Sequence, residues 1–158
     1  MRLSIPLNSL SSLTVDGNGD VVMMDGFQAD RFNVDASGVG GTFVAVDVSG
    51  PLTVRKSGRG TVVVTGSSES LDLEKSGNGE VIVSGVQGDA VVDAEGRGEV
   101  FISGGPGMKI SGTSGSGGVF YTGEGSCSVS QCVKVASVPN IPLPRWDALG
   151  GKQSNCVK

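Results

Sequence analysis

The chain has 158 residues, with sixteen Asp and Glu, three Cys and no His, and these bound the chemistry it could perform. Without imidazole the commonest general base and the commonest metal ligand are both missing, so a reaction would rest on carboxylates or thiols. Asp20, Glu80 and Glu99 each follow a Gly-x-Gly tripeptide and would stack into a row able to collect calcium if the tripeptides repeat in space. The Gly-Gly-x-Gly-x-Asp pattern of calcium-binding solenoids is missing, and Arg59 and Arg97 stand close enough to neutralise the row, so no metal is expected. Asp72, Glu74 and Asp93 form a second set. Two carboxylates at glycosidase separation in a groove would bind or cleave carbohydrate, but this polar face is too poor in aromatic residues to stack a sugar. Cys127, Cys132 and Cys156 match no zinc spacing, and an odd number excludes full intramolecular pairing. Cys127 falls at a position equivalent to Leu71 and Ala90 and reads as a small core residue, while a Cys132 to Cys156 disulfide would pin the C-terminal segment. No catalytic residue, cofactor or metal is assigned.

What positions these residues is a repeat. Residues 52–66, 71–85 and 90–104 share one pattern, and the first glycine of each Gly-x-Gly falls at 58, 77 and 96, a period of 19 residues. A fixed period of this size marks a repeat architecture. Apolar residues alternate within each copy, as Leu52 and Val54 or Leu71 and Leu73 show, which is the period of a strand with one buried face. β-Branched residues dominate the second strand of each copy, and helix signals are missing from the repeats. Gly58, Gly60, Gly77, Gly79, Gly96 and Gly98 are read as turn residues that reach positive φ. Strands follow them, so these loops are turns and not phosphate cradles. The expected fold is an all-β, single-stranded parallel β-solenoid of about six coils with a 19–21 residue period. An antiparallel meander is the competing architecture. Turn residues that recur with the same identity favour stacked coils.

The repeats are expected over residues 13–135, preceded by a capping strand at 1–12 with alternating Leu3, Ile5 and Leu7. Residues 136–158 form a tail whose Pro139, Pro142 and Pro144 exclude a central strand, and whose Ile141, Leu143 and Trp146 favour docking over a freely solvated segment. The tail is either docked on its own chain or exchanged between subunits. The net charge of −4 is spread without a basic stripe, so nucleic acid is not an expected partner. No stretch approaches the roughly 18 apolar residues of a membrane span, and the N-terminus carries no signal-peptide core.

The second strand of each repeat is apolar on both faces. With Val62 and Val64, Val81 and Val83, and Val100 and Ile102 inward, Val63, Ile82 and Phe101 face outward with Val22 and Phe120. Taking Gly41 as an inserted residue makes Val44 the equivalent in the second repeat. Such a band exceeds what a soluble monomer usually leaves bare, and a strand apolar on both faces is normally covered on both.

The recurring Leu-x-Val-x-x-Ser-Gly-x-Gly-x-Val-x-Val-x-Gly of residues 52–66 and 71–85 resembles the autotransporter-adhesin head domains called GIN domains and related adhesin repeat families. The resemblance spans roughly residues 10–130. It implies a right-handed β-helix of surface or secreted proteins, with no catalytic residues to carry over. Location is then extracellular or cell-surface by resemblance, and cytoplasmic if the chain is complete without a leader. The expected function is a non-catalytic structural or adhesive module that self-associates through the outward band into an oligomer or filament. The alternatives are a carbohydrate-binding or carbohydrate-cleaving surface β-helix, with a surface glycan or protein as ligand, and a cytoplasmic polymer-forming scaffold.

Overall fold

The structure is a computed structural model that describes residues 10–136, so most of the predicted capping strand and nearly all of the tail lie outside the described residues. The chain forms β1 (Ser12–Val15), β2 (Val21–Ala29), β3 (Phe32–Ala36), β4 (Thr42–Val48), β5 (Pro51–Lys56), β6 (Val62–Thr65) and β7 (Ser70–Lys75). It continues through β8 (Val81–Val86), β9 (Asp89–Ala94), β10 (Val100–Gly104), β11 (Lys109–Thr113), β12 (Val119–Thr122), β13 (Ser126–Cys127) and β14 (Cys132–Lys134). Odd-numbered strands make one seven-stranded sheet and even-numbered strands another, each in coil order. Pairing is parallel throughout, as in β5 with β7 and β6 with β8. Each coil gives one strand to each sheet, and the result is an all-β solenoid of about six turns with no helix among the described residues.

The core lies between the two sheets. Register stacks like on like: Leu52 on Leu71, Val54 on Leu73, Val62 on Val81 and Val81 on Val100. These side chains are almost fully buried and belong to one continuous cluster. At strand spacings of about 4.8 Å each inward side chain touches its equivalents above and below. Full burial of each Val, Leu or Ile contributes about 1.5–3 kcal/mol.

The Gly-x-Gly turns stack as well, and their two glycines answer different demands. Gly60 has φ +134°, a region that costs L-residues steric strain. Gly58 does not share that conformation. What excludes a side chain there is the turn below, because a Cβ on Gly58 would overlap the carbonyl oxygen of Gly38. The expectation of positive φ at every turn glycine is therefore corrected at Gly58 and Gly77, where close stacking is the constraint.

The repeat pattern fades after Gly125, yet β13 and β14 add one more short pair, with Cys127 in register with Ile110 and Cys132 with Val119. Cys127 and Cys132 form a disulfide that joins the two sheets at this end. This corrects the expected Cys132 to Cys156 bond: consecutive strands on facing sheets bring these two thiols together across the last turn, and Cys156 lies outside the described residues.

Candidate functional site

The outer face of the even-numbered sheet carries a second apolar cluster, separate from the core. Register aligns Val22, Phe43, Val63, Ile82, Phe101, Phe120 and Val133 on β2, β4, β6, β8, β10, β12 and β14. Phe43, Val63, Ile82 and Phe101 are its buried members, with Val22 and Phe120 packed against them. The rings of Phe101 and Phe120 stack with centroids 5.2 Å apart and planes inclined by 22°. Val63 and Ile82 are 2% exposed, whereas Val133 at the end of the row is 51% exposed. Along one flank run the small, half-buried side chains of Ala45, Thr65, Ser84, Ser103 and Thr122.

One predicted member is misplaced. Val44 faces the core between Met23 and Val64, and Phe43 takes the outward position. Gly41 is not an insertion; it occupies the place of Thr61 just before the strand, and the additional residue of that coil is absorbed between Ala45 and Pro51. The tail residues Ile141, Leu143 and Trp146 lie outside the described residues.

The odd-numbered sheet turns a polar face outward. Asp72 and Glu74 project from β7, and Glu74 is in register with Arg55 and Asp93. Arg55 Nε lies 3.1 Å from Glu74 Oε2, and the Thr113 hydroxyl donates to Asp93. The expected row of Asp20, Glu80 and Glu99 is interrupted, because Gly41 and Thr61 hold the intervening places. Asp20 Oδ1 instead accepts the Gly41 N–H at 2.7 Å. Among the described residues no group of three or more His, Cys, Asp or Glu is placed to hold a metal ion.

Sequence reasoning missed two buried lysines. Lys56 and Lys75 are register partners and continue the inward rows that begin with Leu52, Val54 and Leu71, Leu73. Lys56 Nζ donates to the carbonyl oxygens of Gly58 and Asn78, both at 2.7 Å; Lys75 Nζ donates to those of Gly77 at 3.0 Å and Arg97 at 2.8 Å. Each ammonium thus ties its own turn to the next one. Burial, reinforced by the neighbouring Lys75 charge, lowers the Lys56 pKa to about 8, and burial lowers that of Lys75. One further step of the inward alternation would have placed both residues inside.

A two-sheet stack of parallel coils, its outer faces one polar and one apolar, defines a β-solenoid. The chain belongs to the family described as "Putative auto-transporter adhesin, head GIN domain", which matches residues 1–125. The match stops just before β13, so the disulfide-closed last coil and the tail fall outside it. No curated protein and no solved structure matches the chain.

Proposed function

We propose that this chain is a non-catalytic adhesive module that associates with copies of itself through the outer ladder of Val22, Phe43, Val63, Ile82, Phe101 and Phe120. The observation that carries the reading is the ladder itself: six apolar side chains in unbroken register on an outer face, forming a cluster of their own. Core packing does not require them, since the inward rows already fill the interior. Outer positions of the opposite sheet are occupied by Asp35, Arg55, Glu74 and Asp93, which is how a solvated face looks. Membership of an adhesin family supports a binding role.

Light scattering on the intact chain over a range of concentrations tests the reading. An oligomer that Phe101→Lys converts to a folded monomer is the expected result. A mass equal to one chain at every concentration would exclude self-association.

A further inference from the structure

We propose that Asn78 is a self-modification site: the Gly79 amide nitrogen attacks the Asn78 side-chain carbonyl, and Lys56 promotes the step by holding the carbonyl oxygen of the peptide that supplies the nitrogen.

The dipeptide Asn-Gly occurs at the tips of two stacked turns, as Asn18-Gly19 and Asn78-Gly79. Both asparagines are exposed, and both glycines have positive φ, +136° at Gly19 and +114° at Gly79. A glycine in second place carries no Cβ to shield its nitrogen, so ring closure is sterically open at each.

The two turns differ in what their amides and carbonyls do. In the first coils the carbonyl of the middle turn residue accepts the N–H of the glycine one coil earlier: Gly19 donates to Val39 at 3.0 Å and Gly40 to Arg59 at 3.2 Å. In the lysine coils those carbonyls receive ammonium groups, Asn78 from Lys56 at 2.7 Å and Arg97 from Lys75 at 2.8 Å. Gly19 N–H is committed to Val39, while the carbonyl that Gly79 N–H would address by the same rule, that of Arg97, is held by Lys75.

The chemistry follows from this placement. Attack requires the Gly79 nitrogen to give up its proton, and the negative charge left behind is shared with the Asn78 carbonyl oxygen. A cation 2.7 Å from that oxygen stabilises the charge as it develops. With a pKa of about 8, Lys56 is mostly charged at neutral pH. The Gly79 nitrogen bonds to Asn78 Cγ, the Cγ–Nδ2 bond breaks, and Nδ2 leaves as ammonia with a proton returned from solvent. One water then opens the cyclic imide to aspartate or isoaspartate.

The stack discriminates between the products. Gly77 and Gly79 lie over Gly58 and Gly60, and Gly98 lies over Gly79, so residue 78 stands between the exposed Arg59 and Arg97 of adjacent coils. Aspartate would place an anion between two guanidinium groups. Isoaspartate would lengthen the main chain of a turn whose glycines have no room even for a Cβ. Aspartate is the product this fold accommodates.

Asn18 serves as the control within the same chain. Peptide mapping by mass spectrometry during prolonged incubation at neutral pH follows both sites. In the folded chain Asn78 should deamidate several-fold faster than Asn18, and in urea the two rates should converge. Lys56→Met, checked by circular dichroism for an intact solenoid, should slow Asn78 and leave Asn18 unchanged. Equal rates in the folded chain, or a faster Asn18, would overturn the proposal whether or not that variant folds. So would a difference that persists in urea, which would assign it to neighbouring sequence, or a folded Lys56→Met chain in which Asn78 reacts as fast as before.

Discussion

Lys56 and Lys75 sit side by side on adjacent strands and point inward, each ammonium held by two backbone carbonyls of successive turns. Burial denies the ammonium water, and the second cation at strand spacing adds repulsion, so the pKa of Lys56 falls to about 8. The folded-state value lies below the ordinary 10.5, so between those two pH values the unfolded chain binds more protons than the folded one. Stability should therefore rise with pH across that window, while below it the cost of burying the charge is fully present. Urea unfolding at pH 7.5, 9 and 10 checks the sign. The intact chain should gain stability over this range, and Lys56→Met should lose most of that gain.

Gly60 and Gly17 separate backbone conformation from stacking. Both have positive φ, +134° and +124°, but a Cβ on Gly60 would overlap the Gly40 carbonyl oxygen, whereas one on Gly17 meets nothing within 4 Å. Gly17→Ala should cost only the left-handed penalty, about 1–2 kcal/mol. Gly60→Ala must also push two coils apart and should cost about 4 kcal/mol or more. Equal urea midpoints for the two variants would show that stacking adds nothing.

The stacked pair Phe101 and Phe120 should be coupled beyond simple burial. In a double-mutant cycle with Phe101→Leu and Phe120→Leu, a coupling of about 0.5–1.5 kcal/mol is expected. Strictly additive effects would mean that the rings act only through the area each covers.

Reducing the Cys127–Cys132 disulfide opens a loop with a sequence separation of 5. Loop entropy for so short a closure is about 2 kcal/mol. The loss should be confined to β12–β14, which hydrogen exchange under reducing conditions would detect as faster exchange there and unchanged protection at β6–β8. Uniformly faster exchange would contradict that confinement.

Much of the architecture was legible because the same residues recur at the same steps. Gly58, Gly77 and Gly96 set the period, the alternation of Leu52 with Val54 and Leu71 with Leu73 set the inward rows, and Val63, Ile82 and Phe101 stood out between inward neighbours. Val44 was misread because a glycine beside a turn looks like an insertion until the register of Thr42 with Val62 shows where the additional residue goes. Lys56 and Lys75 escaped because a charged residue beside a turn is ordinarily solvated; only the carbonyls of two stacked turns make burial tolerable. Cys127 and Cys132 pair because β13 and β14 lie on facing sheets, a three-dimensional fact that their separation along the chain does not reveal.

Parallel stacking also governs how the molecule would come apart. Side-chain hydrogen bonds between coils join residues about one coil apart, from 18 positions for Ser128 to Ile110 up to 22 for Lys56 to Asn78. Among the described residues each coil is therefore hydrogen-bonded to the coils directly before and after it. Assembly can begin at any adjacent pair and spread in both directions as a moving front. A break at an inner coil would divide the stack into two shorter ones, each keeping its own order, so damage stays close to where it starts.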